Sequence, residues 1–103
     1  MTRITRAALI QASNDTPGEA SIDEIKSAMI DKHVALIEQA AEQGAQVTCL
    51  QEIFYGPYFC AEQDTRWYES AEPIPDGPTV QLMQTLAKKH KMILVVPIYE
   101  LDM

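Results

Sequence analysis

Apolar residues follow two rhythms along this chain, and the alternation between them predicts an order of elements. Residues 4–11 are apolar enough for a strand. Asn14 to Glu19 contains Asn-Asp-Thr-Pro-Gly, which is turn chemistry. Ser21 to Glu24 then matches a capping box, in which the serine hydroxyl accepts from a backbone N–H and the glutamate reaches back. From there Ile22, Ile25, Met29, Leu36, Ile37 and Ala40 recur at helical spacing, which predicts a helix with one apolar stripe. Gly44 suits its end, because glycine adopts the left-handed C′ conformation without penalty.

Val47 to Leu50 reads as a short buried strand with Gln51 and Glu52 at its carboxyl end. Tyr55 to Cys60 follows as an aromatic loop punctuated by Gly56 and Pro57. Residues 61–72 are acidic and predict a short surface helix around Trp67 and Tyr68, and Pro73 to Pro78 a loop. Asp76-Gly77-Pro78 suits a helix start, proline being favoured at the first helical position. Val80, Met83, Leu86, Ala87 and His90 supply the buried face of that second helix. Met92 to Tyr99 is a continuous apolar strand, and Pro97 places a bulge in it or puts it at a sheet edge, because proline cannot donate to the ladder.

The order strand–helix–strand–helix–strand indicates an α/β fold built on parallel strands, with ligands expected at the strands' carboxyl ends. Three strands and two or three helices cover only part of a three-layer sheet. One face, or the edge beyond residue 99, is therefore expected to stay open, as in the N-terminal part of a larger domain or a chain that needs a partner.

Composition narrows the functions. A net charge of −7 repels phosphate backbones and argues against nucleic acid as a partner. The longest apolar run, Met92 to Ile98, is too short to span a membrane, and no signal-peptide core follows Arg3 and Arg6. Cys49 and Cys60 are read as free thiols of a cytoplasmic chain, and metal-ligand spacings such as Cys-x-x-Cys are absent.

Glu52 is the leading candidate for chemistry. A carboxylate just past a buried strand, opening an aromatic loop, would be partly desolvated, which suits a general base; the competing reading is a solvated loop glutamate. Glu100 ends the third predicted strand as Glu52 ends the second, so parallel strands could pair the two carboxylates on one sheet edge. Cys49 is a poor nucleophile for Glu52, because residues three apart on a strand face opposite ways; it reads as a small core residue. Cys60 is more accessible, and a pairing with His33 or His90 stays open beside an inert loop thiol. Tyr55, Tyr58, Phe59, Trp67 and Tyr68 either line a pocket or pack the loop onto the sheet.

The segment Cys49-Leu-Gln-Glu-Ile-Phe54 resembles the first signature of the nitrilase superfamily of carbon–nitrogen hydrolases, and Ala8-Leu-Ile-Gln-Ala12 is similar to that family's first strand. Gly56-Pro-Tyr-Phe-Cys60, Trp67-Tyr-Glu-Ser-Ala-Glu72 and Asp76-Gly-Pro-Thr79 are similar to its β-ureidopropionase and N-carbamoyl-amine amidohydrolase branch. The resemblance covers nearly the whole chain, residues 1–103, as the N-terminal part of one domain. It implies an αββα sandwich, commonly paired as a homo-oligomer, and a glutamate–lysine–cysteine triad with no metal or organic cofactor. The substrate it implies is a small amide, carbamoyl compound or nitrile.

Glu52 matches the family's glutamate. Tyr55, Tyr58, Phe59 and Glu100 are the pocket residues expected beside it. The family's lysine and nucleophilic cysteine belong to later segments, so these 103 residues alone are expected to be inactive. The alternative is a truncated family member that serves as an oligomerising or binding module.

Overall fold

The computed structural model describes residues 3–17, 19–59 and 64–102. Its elements are β1 (Ala7–Ile10), α1 (Ile22–Glu42), β2 (Val47–Leu50), a 3-10 helix (Thr65–Ser70), α2 (Pro78–His90) and β3 (Ile93–Val95). The strands form one parallel sheet in the order β1-β2-β3, so β2 is central. Its register pairs Leu9 with Cys49 and Cys49 with Val95. The expected α/β order is therefore present, with the short helix before α2 being of the 3-10 type.

The caps explain where the helices start and stop. Ser21 is the N-cap of α1, and its hydroxyl accepts from Glu24 N at 3.1 Å. At the other end Gly44 has φ +84°, Gly44 N donates to Ala41 O and Ala45 N to Ala40 O. That is the Schellman arrangement, and it consumes the last carbonyls of the helix. Helix α2 starts at Gly77 with Pro78 in its first turn. It closes through the same bonding pattern, Lys91 N to Lys88 O and Met92 N to Ala87 O, with Lys91 at φ 51°.

Both helices pack on one face of the sheet. Ile10 and Leu50 from the strands meet Ile37 of α1 and Met83 and Leu86 of α2, with Phe54, Tyr55 and Met92 completing the core. The buried stripe of α1 runs Ile25, Met29, His33, Ile37, four residues apart. His33 fills a polar slot in the stripe by bonding Nδ1 to Met29 O at 2.8 Å and setting its ring edge-on to Phe54. A second cluster of Ile25, Met29 and Trp67 joins the start of α1 to the 3-10 helix.

The opposite sheet face is bare. Leu9 is 86% exposed, Ile93 64% and Val95 46%. Cys49, opposite Leu9 and Val95, is half-buried rather than in the core, because nothing among the described residues covers that side. Parallel sheets normally carry a layer on each face. The expectation that one face stays open is met here.

Three sequence expectations need correction. The first strand is four residues, not the whole of 4–11. The third ends at Val95, two residues before Pro97, and lies at the sheet edge, so Glu100 does not terminate a sheet strand. Segment 64–72 is not simply a surface helix, since Trp67, Ser70 and Glu72 are buried.

Candidate active site

Glu52 lies two residues beyond the end of β2, the central strand, where the chain turns sharply. Gln51, between the strand end and Glu52, is half-buried. Its amide clamps the end of β1, Nε2 donating to Ala12 O at 2.8 Å while Oε1 accepts from Ala12 N. That clamp holds the strand ends together just where Glu52 leaves the sheet. Ile53 follows with φ 46°. A β-branched residue in the left-handed region is a backbone outlier costing on the order of 1–3 kcal/mol, and such strain gathers at functional sites.

Two neighbours hold this turn down. Phe54 and Tyr55 are 0% and 1% exposed. The Tyr55 hydroxyl donates toward Ser70 O at 2.9 Å and Tyr99 O at 3.2 Å, and accepts from Tyr99 N at 3.1 Å. Burial pushes the Tyr55 phenol up to about 12, partly offset by its backbone hydrogen bond to Tyr99, so it stays protonated at ordinary pH.

Beneath the turn is a buried ionic cluster that the sequence did not suggest. Glu72 is 3% exposed. It forms an ion pair with Lys26 of α1, and it accepts from Thr79 N at 2.7 Å and Thr79 Oγ1 at 2.6 Å. The carboxylate thus caps the first turn of α2, where the helix dipole favours negative charge. Burial alone would raise the Glu72 carboxyl, but Lys26 and both Thr79 donors outweigh it and hold the group below its ordinary value. Lys26 Nζ also donates to Ser70 O at 3.1 Å and lies 4.6 Å from the Tyr55 ring centroid. Gly77 must be glycine, because a Cβ there would sit 2.6 Å from Pro73 O and 3.0 Å from Glu72 Oε1. Glu72 is one of several acidic residues in its stretch, and Lys26 lies far from it in sequence, so no spacing rule links them.

The expected site residues are distributed unevenly. Glu52 is exposed rather than partly desolvated, because no described residue roofs the strand end. Tyr55 and Phe59 line a common crevice with Ile25, Lys26, Ile53 and Trp67, and Phe59 stacks on Trp67 at 6.2 Å between centroids. Tyr58 is 61% exposed. The aromatic loop therefore divides, with Tyr55 in the core under the sheet and Phe59 against the α1 and 3-10 helix cluster. Glu100 is exposed and bridges to the Glu72 segment, with Glu72 N donating to Tyr99 O and Leu101 N to Glu72 O. It is thus in a different ladder from β2, so the register does not set it directly beside Glu52. Cys60 falls outside the described residues, and a Cys60–histidine pairing with it. Among the described residues no helix is long and apolar enough to cross a membrane.

The parallel sheet with a helical layer on one face defines an α/β protein, with Glu52 at the strand-end position where such sheets carry ligands. The chain belongs to the carbon–nitrogen hydrolase family, whose pattern matches residues 6–102, and so to the nitrilase superfamily. It is 37% identical over 100 residues to a β-ureidopropionase of Arabidopsis thaliana, covering 97% of this chain and 24% of that protein. An N-carbamoylputrescine amidase of Oryza sativa is 32% identical over 77 residues, 75% of this chain and 26% of the relative. A citrullinase of Francisella tularensis is 30% identical over 84 residues, 82% of this chain and 29% of the relative. The chain thus spans about a quarter of the length of these relatives.

Proposed function

We propose that these residues form the glutamate-bearing part of a cysteine-dependent amidohydrolase that cleaves the C–N bond of an N-carbamoyl compound or a related amide. The observation that carries this reading is the placement of Glu52 at the carboxyl end of the central strand, on a turn strained at Ile53. The similarity to enzymes named for N-carbamoyl substrates supports the substrate class.

In this reading Glu52 is the general base. Its carboxylate takes the proton of a cysteine thiol supplied by a later segment, and the thiolate forms a bond to the carbonyl carbon. A lysine from a later segment stabilises the oxyanion that develops, as a fixed charge does in a water-poor site. The tetrahedral intermediate collapses, the C–N bond breaks, and Glu52 returns its proton to the departing nitrogen. Glu52 then removes a proton from water, and the hydroxide releases the acyl or carbamoyl group from sulfur. The isolated 103 residues supply one of three required groups and have no turnover.

Ammonia release from N-carbamoyl-β-alanine and N-carbamoylputrescine tests this in the full-length protein that carries these residues. Glu52→Gln should lower kcat by about 100-fold or more, the range for losing a general base. Near-normal turnover by that variant, or turnover by the 103 residues alone, would refute the reading.

The bare apolar face containing Leu9 and Val95 also favours a second reading, a binding or homo-oligomerising module. That reading predicts a stable assembly in which Glu52→Gln changes nothing.

A further inference from the structure

We propose that Tyr55 is the positioning residue for Glu52, its hydroxyl locking the strained carboxylate-bearing turn onto the backbone of Ser70 and Tyr99. This rests on the reading of Glu52 as the general base. The turn from Glu52 to Gly56 is weakly held by its own bonds. The backbone bond recorded within it, Gly56 N to Ile53 O, is 3.4 Å long. Ile53, next to Glu52, sits at φ 46° and would relax to negative φ if released. Such a rotation at the adjoining residue re-aims the Glu52 carboxylate.

What opposes it is Tyr55. Its hydroxyl meets three backbone groups from two distant segments: Ser70 O, at the end of the 3-10 helix, and Tyr99 N and O, beyond β3. Phe54 anchors the same turn by apolar burial and ring contacts, without a hydrogen bond of its side chain. The hydroxyl adds direction, since its bonds hold only within a narrow range of distance and angle. Lys26 over the ring, itself bonded to Ser70 O and Glu72, fixes the other side. Tyr55 is too deeply buried to touch substrate, so its effect on the reaction passes through the placement of Glu52.

Tyr55→Phe isolates this role, since it keeps the ring and removes the three bonds. In the full-length protein, kcat for N-carbamoyl-β-alanine should fall 10- to 100-fold with KM changed less than twofold. The acid limb of the kcat/KM profile should move, because the base sits in an altered setting. Ile37→Val, a core substitution away from the turn, serves as the stability control and should leave kcat, KM and the acid limb unchanged. If Glu52→Gln is inactive while Tyr55→Phe matches Ile37→Val in all three readouts, the positioning role is overturned and the general-base reading stands. If Glu52→Gln is active, both fail. Should Tyr55→Phe not fold, 3-fluorotyrosine at position 55 keeps the shape and alters the hydroxyl's bonding strength. A lower kcat at constant KM then supports the role, and an unchanged kcat overturns it.

Discussion

Replacing Lys26 by methionine tests whether the ionic cluster behind the turn holds this part of the molecule together. The side chains of Lys26 and Glu72 are only 16% and 5% exposed. Removing one partner of a buried ion pair typically costs about 3–5 kcal/mol, because the other charge stays desolvated. Here Glu72 keeps two bonds from Thr79, and methionine fills much of the volume of the lysine stem, so the low end applies, about 3 kcal/mol. At about 2.1 cal/mol/K of unfolding entropy per residue, a protein of roughly 300–400 residues, the size that the relatives' shares imply, should lose about 4–5 °C in Tm. The double variant Lys26→Met/Glu72→Gln removes the orphaned charge and keeps an oxygen for Thr79, so it should be more stable than Lys26→Met alone. Thermal unfolding followed by circular dichroism reads both. A drop below about 2 °C for the single variant, or a double variant less stable than the single, would refute the account of Glu72 as a charge that needs Lys26.

Two further outcomes follow from the same structure. The Glu72 carboxyl is held below its ordinary value in the folded state, so its contribution is present above the unfolded value and is lost as pH falls through the lowered folded value. The stability gap between the parent and Lys26→Met should therefore narrow as pH falls through that lowered value, and a gap of constant size across the acid range would contradict this. Leu9→Asp tests the bare sheet face: if another layer covers Leu9 in the full-length protein, a buried unpaired carboxylate should cost about 3 kcal/mol or more in denaturant unfolding, whereas an exposed site would change by less than about 0.5 kcal/mol.

Much of the fold was legible because its determinants are local. Ser21 three residues before Glu24, Gly44 after the last apolar residue of α1, and Pro78 after Gly77 each act within one turn of chain, and each marks the boundary it was expected to mark. Strand β2 was read with its bounds intact because Val47 to Leu50 is set off by Gly44 on one side and a turn on the other. The third strand was read too long because apolar character continues through Pro97 to Tyr99, while ladder bonding depends on a partner strand, and β2 ends at Leu50. Val96, Ile98 and Tyr99 instead pack their side chains against the main core cluster.

The candidate site divides along the same line. Glu52 could be singled out because a strand end followed by a glycine–proline aromatic loop is a local pattern. Its support could not, because Lys26, Glu72, Thr79 and Tyr99 come together only through the fold, and none of these residues taken alone signals that role. The exposure of Glu52 has the same origin. Among the described residues none buries it, and the large side chains near by, Phe54, Tyr55 and Trp67, are spent in the two core clusters. In the proposed reading these residues therefore supply an exposed carboxylate on a strained turn whose next two residues are anchored in the core.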